Sequence, residues 1–402
     1  MLCAPARVRS RPEVAPMLKI AMVADHALLQ ERDAVLRTPN LMALAEALTN
    51  AGHEVTVYAR TGGTAGTEEV SRRGFRVVRL KGRFRTALFD ALRATRPDVV
   101  HAHCGSVWQA AAAASRALDV PFVYSLHAAA EDPCGVSDHD TASNLAAAHA
   151  ADRVIATFSA QVRKSVVGGV ARQKIAVVPY GVDVDHFNPD GMPAARRLPN
   201  RIVAVGDLVP SSGFGTPVAA LRALPDTELV IAGGPPRGAH ARELRDYARS
   251  LDVADRVRFA GQVSRADLPA LLRSADIMAC TPWEPVFGVP VLEAMACGVA
   301  VVANRLGGLA DTVVDNVTGI HVPPRKPRDL AAAMLRLLRF TAVREQQGAA
   351  GRDRAWVRYS WAHVANATVH AYVRAGATDS TVQARQAAEA SQAGTDPAIA
   401  SS

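Results

Sequence analysis

Ala279–Pro324 reads ACTPWEPVFGVPVLEAMACGVAVVANRLGGLADTVVDNVTGIHVPP. An apolar strand, Ile277–Ala279, runs into a loop that carries Trp283, Glu284 and Pro285. Phe287–Gly288–Val289 opens a helix, Val289–Ala296, and strands return at Val299–Ala303 and Gly319–Val322. The strands are short unbroken apolar runs, the pattern of strands buried on both faces, with helices between them. That alternation specifies an α/β parallel sheet with helical crossovers.

The same pattern extends outward in both directions. Upstream lie strands at Ile202–Val205, Leu229–Ala232 and Val257–Phe259, with helices over Pro217–Leu224, Ala241–Leu251 and Arg265–Ser274. Downstream lie helices over Pro327–Leu338, Ala342–Arg358 and Trp361–Val373. Tyr180–Pro199 interrupts the alternation with Gly181, Pro189, Gly191, Pro193 and Pro199, so it reads as a linker. Before it, Leu18–Ala24, Glu54–Ala59, Arg76–Leu80, Val99–His103, Phe122–Leu126 and Val154–Thr157 are strands of a first sheet. The expected organisation is a doubly wound domain over residues 17–180, a linker to 200, a second such domain over 201–358, and a last helix, 359–376, returning to the first. Two such domains face each other across a cleft, and ligands of open α/β sheets sit at the C-terminal ends of strands.

The ends read differently. Met1–Pro16 carries Arg7, Arg9 and Arg11 but no apolar segment of the kind a secretory signal needs. Met17 directly precedes the first strand, so residues 1–16 read as a flexible leader or as sequence upstream of the true start. Residues 377–402 are rich in Ala, Ser, Gln and Thr without apolar periodicity and read as a disordered tail.

Composition narrows the function classes. The 402 residues are 49% hydrophobic and 21% charged, which excludes a wholly disordered chain. No apolar run is long enough to span a bilayer. The net charge of +8 comes almost wholly from arginine, since there are only five lysines. It is not gathered into basic blocks or interleaved with aromatics, so nucleic acid is not an expected partner. The five cysteines show no C-x-x-C spacing, so neither a zinc ribbon nor a redox pair is supported, and a reducing compartment is expected. No metal or cofactor is called for. The expected location is cytoplasmic, with peripheral contact at the inner membrane face through basic surface patches.

The chemistry-bearing residues gather at predicted strand ends. The start of helix Val289–Ala296 offers backbone N–H donors to an anion, and Gly288 lets a ligand approach closely. Glu293, inside that helix, is a carboxylate able to accept from sugar hydroxyls. His127, in Ser125-Leu126-His127-Ala128, ends one strand; His101 and His103 flank the end of another. Arg305, in Asn304-Arg305-Leu306-Gly307-Gly308, follows a strand end, and its planar fork suits phosphate oxygens. Cys297 reads as small core packing.

Several stretches together carry a resemblance: Ala279–Pro324, LVIAGGPP at Leu229–Pro236, VPYGVDVDHFNPDG at Val178–Gly191, and MLKIAMV with GHEVTVYAR in the first βαβ unit. In this order the chain, from Met17 to about Val373, resembles the family-4 retaining glycosyltransferases of the GT-B fold. The resemblance implies a nucleotide-diphosphate sugar held mainly by the second domain, and a small-molecule, lipid or glycan acceptor held by the first. It implies retention at the anomeric carbon without a bound metal. It gives His127 a place facing the donor sugar, Glu293 a place on the ribose, and the backbone of Phe287, Gly288 and Val289 a place on the diphosphate.

Three places depart from the family pattern. The family's G-R-L-x-x-x-K-G loop is here Gly206-Asp207-Leu208-Val209-Pro210-Ser211-Ser212-Gly213, with Asp207 for the arginine and Ser212 for the lysine. Hydrogen bonds to charged groups contribute about 1.5–3 kcal/mol each, so two lost cations cost about 3–6 kcal/mol, or two to four powers of ten in rate. The family's first glutamate aligns with Pro285; Glu284 takes that role only if Val286 bulges out. The family's glycine pair after the first strand is missing from His26–Pro39, and Asp132–Ala148, on the acceptor side, matches no motif. These losses give an alternative expectation: a catalytically degenerate relative acting as a binding or partner subunit. A sugar-phosphate epimerase on the same fold is a weaker third.

Overall fold

A computed structural model describes residues 17–25, 40–61, 66–72, 74–103, 105–127 and 140–378. The expectations for the leader, for the loop 26–39, for residues 379–402 and for the first part of the acceptor stretch, 132–139, lie outside the described residues.

The first sheet contains β1 (Lys19–Asp25), β2 (Glu54–Arg60), β3 (Gly66–Arg72), β4 (Phe75–Lys81), β5 (Val99–Ala102), β6 (Phe122–Ser125), β7 (Arg153–Ala156) and β8 (Ile175–Val177). Its helices are α1 (Asn40–Asn50), α2 (Phe84–Thr95), α3 (Trp108–Leu118), α4 (Asp140–Ala150) and α5 (Ser159–Val167). The strand order is β3-β4-β2-β1-β5-β6-β7-β8. Every pair is parallel except β3 with β4, which is antiparallel. The sheet is therefore mixed at one edge, where sequence patterning implies only parallel strands.

The second sheet contains β9 (Asn200–Val205), β10 (Thr227–Ala232), β11 (Val257–Gly261), β12 (Ile277–Cys280), β13 (Ala300–Asn304) and β14 (Gly319–Val322). Its helices are α6 (Gly215–Ala220), α7 (Ala239–Ser250), α8 (Leu268–Arg273), α9 (Val289–Ala296), α10 (Leu309–Thr312), α11 (Pro327–Arg339) and α12 (Thr341–Tyr359), followed by α13 (Trp361–Ala375). The order is β11-β10-β9-β12-β13-β14, with all described pairs parallel. Both sheets are the doubly wound, Rossmann-like domains expected.

Burial explains the apolar runs. Val203, Val230, Met278 and Val301 point into one core with α9, while Ile202, Leu229, Ile277 and Val302 point into another with α6 and α11. In the first domain α13 joins the core through Val364, Val369 and Tyr372. The Val182 N–H donates to the Tyr359 carbonyl at 2.7 Å, tying the linker to the end of α12 just before α13 begins. The chain reverses between β1 and β5 in one sheet and between β9 and β12 in the other. Such switch points leave a crevice at the carboxyl ends of the flanking strands. The loops after β5, β9 and β12 are therefore the ones to inspect.

Candidate functional site

The N-terminal wall is a row of rings. His101, on β5, is fully buried, with Nδ1 2.8 Å from the Tyr372 hydroxyl and Nε2 2.8 Å from Ser125 Oγ. Burial, and then the neighbouring His127, push its pKa down to about 3, so the ring is neutral. The His103 ring lies tilted against that of His101 with centres 3.9 Å apart, and burial followed by both neighbouring imidazoles holds it neutral as well. His127 lies two residues beyond β6, half-buried, 6.0 Å from His103 between ring centres. Its Nδ1 lies 2.7 Å from the Tyr180 hydroxyl, which fixes the ring's orientation. These side chains, with Thr157 and Ser125, line a cavity of about 30 Å³, room for about one water.

Tyr180 reaches the other domain. Its ring meets Phe287 edge-on with centres 4.9 Å apart, and Phe287 meets Tyr359 at 6.5 Å. Phe287 is 1% exposed, so its side chain is core and only its backbone is available to a ligand. Gly288 follows with φ +85°, and a Cβ there would lie 2.4 Å from Leu309 Cδ2. A side chain there would have to displace the end of Leu309 and hold a left-handed backbone that favours glycine. Pro290 carries no N–H, and the Val291 N–H donates to the Gly288 carbonyl at 2.9 Å. Pro290 therefore adds no donor at the start of α9.

The loop after β9 is closed on itself. Ser212 Oγ donates to the Asp207 carbonyl at 2.6 Å, and the Val209 N–H donates to the same oxygen at 2.8 Å. Asp207 is exposed. The Trp283 N–H donates to the Ser211 carbonyl at 2.7 Å, which pins this loop to the one after β12. The Trp283 ring in turn carries the Arg325 guanidinium 4.4 Å from its centre, a cation–π contact.

Val286 is half-buried against the core around Phe287, and its carbonyl accepts the Gly308 N–H at 2.8 Å. Trp283, Glu284 and Pro285 are exposed. Arg305 stands exposed on the neighbouring loop, whose Asn304 amide donates to the Pro282 carbonyl at 2.8 Å.

Glu293 is 1% exposed. Its Oε1 accepts from Arg265 NH1 at 2.5 Å, and its Oε2 has no hydrogen-bond partner. Burial raises its pKa, against the lowering effect of Arg265 and His186. Patterning placed Arg265 only at a helix start; no local signal ties it to a carboxylate 28 residues on. Tyr180 read only as the first residue of the linker. Among the described residues no cluster of His, Cys, Asp or Glu is placed to hold a metal ion, and no helix is long and apolar enough to cross a membrane.

Comparison with known proteins bears on the family and the fold. Residues 194–354 match the family described as glycosyl transferases group 1, and residues 41–186 match glycosyltransferase family 4. A D-inositol 3-phosphate glycosyltransferase of Kineococcus radiotolerans is 33% identical over 312 residues, 69% of this chain and 72% of that protein. A glycogen synthase of Mycobacterium tuberculosis is 33% identical over 297 residues, 70% of each. Among solved structures, Anabaena HepE in complex with UDP has a TM-score of 0.71 at 19% identity, covering 88% of this chain and 99% of that one. Sucrose-phosphate synthase from Thermosynechococcus elongatus has a TM-score of 0.69 at 23% identity, covering 88% and 98%. The solved structures bear on the fold, two Rossmann-like domains in the GT-B arrangement. The chain belongs to the family-4 glycosyltransferases.

Proposed function

We propose that the protein moves a sugar from a nucleotide-diphosphate sugar to an acceptor with retention at the anomeric carbon and without a metal ion. The observation that carries this reading is Tyr180. Its hydroxyl engages His127 and its ring abuts Phe287, the residue before Gly288, so one side chain joins the histidine to the start of α9.

In this reading the leaving diphosphate lies at the start of α9. Its growing negative charge is met by the backbone of Phe287, Gly288 and Val289 and by the positive end of the helix dipole. Ser212 and Asp207 supply no cation, so Arg305, exposed one loop away, is the charge that meets the phosphates. His127, oriented by Tyr180, faces the sugar. Glu284, at the exposed rim, contacts the sugar from the other side, and Glu293 takes the ribose. The acceptor enters from the first domain, as a small molecule, a lipid or a glycan, with the enzyme in the cytoplasm and in peripheral contact with the membrane.

Calorimetric titration with UDP, GDP and their sugar conjugates, with no metal added, tests the reading. Micromolar binding of one of them is the expected result. Folded protein that binds none of them overturns it, and points instead to a partner subunit that has lost its donor.

A further inference from the structure

Glu293 combines three features that an ordinary buried carboxylate does not. It sits in the first turns of α9, just after the Phe287–Gly288 turn. One oxygen is committed to Arg265 NH1. The other is buried with no hydrogen-bond partner at all. A buried acceptor left open is costly to a fold, and native proteins keep few of them.

Arg265 is itself held from two further sides. Its guanidinium lies 4.6 Å from the centre of the Phe187 ring, and its carbonyl lies 2.8 Å from His186 Nε2. Both partners belong to the linker segment after Tyr180. Yet the Arg265 side chain remains 39% exposed. It thus stands between the carboxylate and solvent, stacked on one face and open on the other.

We propose that Arg265 is a positioning residue for nucleotide binding: it occupies Oε1 and fixes the carboxylate, leaving Oε2 as the acceptor for a ribose hydroxyl. This rests on the reading that Glu293 meets the ribose. The physical reason is direct. Burial favours the neutral acid, and a neutral carboxyl is a weaker acceptor than a carboxylate. The groups acting on Glu293 are Arg265, from the loop between β11 and α8, and His186, from the linker. Cys297, one turn along α9, is held protonated by burial with its pKa pushed up to about 12, with Arg273 of α8 opposing. Of Arg265 and His186, Arg265 alone touches the carboxylate. The linker therefore sets the donor site through a relay: Phe187 and His186 hold Arg265, and Arg265 holds Glu293.

The test is UDP and GDP binding by the wild type, Arg265→Gln, Arg265→Lys and Glu293→Gln, measured from about pH 5 to pH 8, beside a melting curve for each. Arg265→Gln is expected to bind about 10–100-fold more weakly at neutral pH. Its affinity is expected to fall away at a higher pH than that of the wild type, because Glu293 then takes up its proton sooner. Arg265→Lys recovers most of the affinity, and Glu293→Gln removes the acid limb. Arg265→Gln with wild-type affinity and pH profile overturns the proposal while leaving the reading of the site intact. Lower affinity with an unshifted pH profile also overturns it, since that is a purely structural role. A folded wild type that binds neither nucleotide removes the reading of the site, and the proposal with it.

Discussion

Arg201–Glu228 and Arg265–Glu293 lie at opposite ends of the strands of one domain. Arg201 and Glu228 sit at the start of β9 and β10, 0% and 3% exposed, 2.7 Å apart. Arg201 also donates to Ser274 Oγ at 2.7 Å and to the carbonyls of Ala194 and Ala195. Glu228 accepts the Arg197 N–H at 3.0 Å. Burial alone would raise its pKa, but the Arg197 N–H and Arg201 more than offset that and hold the carboxyl below its usual range. At Glu293 the balance tips the other way, and its pKa is raised. The base of the sheet completes its hydrogen bonds within the fold. The crevice end leaves one oxygen for something else. The two carboxyls are about equally buried, so what separates the pairs is satisfaction of the carboxyl and exposure of its arginine, 0% at Arg201 against 39% at Arg265.

The two carboxyls consequently have opposite linkage to pH. Glu228, with a depressed pKa, contributes stability above the ordinary glutamate range and loses it as pH falls through its folded value. Glu293, with a raised pKa, favours the native state below that range and withdraws its contribution as pH rises through its folded value.

The sharpest way to break the comparison is Arg201→Met. It leaves Glu228 buried without its counter-charge, which costs about 3–5 kcal/mol. Urea unfolding at neutral pH measures this. A loss under about 1 kcal/mol would mean that the pair at the base is no better anchored than a surface pair.

Gly213→Ala comes next and probes the crevice end. Gly213 has φ +70°, and a Cβ there would lie 1.9 Å from the Thr281 carbonyl. The loops after β9 and β12 must part to admit it. The expected cost is about 2–3 kcal/mol, from the left-handed backbone and the collision together, with nucleotide binding lost. Unchanged stability in urea would show that the two loops are not locked.

How far these differences were legible depends on how local they are. The strands were legible because both faces are buried, so Val99–Ala102 and Thr227–Ala232 bury every residue. β3 was not: GTEEVSR has no apolar run, and it pairs only at the antiparallel edge. β8 has just three residues and was likewise hidden. At the site, Gly288 and Glu293 stand in a recognisable strand–loop–helix. Tyr180 and Arg265 act through contacts with residues far along the chain, Phe287 and Glu293, which no window of sequence joins. The pairing of His101 with Tyr372 across 271 residues is the extreme case.

Glu293→Gln separates stability from binding. The amide keeps an acceptor for Arg265 but removes the buried charge, so unfolding free energy should stay within about 1 kcal/mol of wild type, against the large loss at Arg201. UDP or GDP affinity should fall about 10–100-fold, the equivalent of about 1.5–3 kcal/mol. A variant that loses several kcal/mol of stability would place Glu293 with Glu228 as a structural residue.

Arg305→Ala carries the smallest effect and the narrowest question. The side chain is exposed, so stability should change by less than about 0.5 kcal/mol. If its charge stands in for the cations missing from Asp207 and Ser212, affinity for UDP or GDP should fall about three- to tenfold, because an exposed charged contact is worth about 1 kcal/mol. The loss should shrink at high salt, since the interaction is screened. Uridine and guanosine, lacking phosphates, should bind the variant as they bind the wild type. An equal loss for the nucleosides would assign Arg305 to the base or ribose. No loss at all would leave the diphosphate to the start of α9, where Pro290 supplies no donor and Gly288 and its neighbours would have to meet the whole charge.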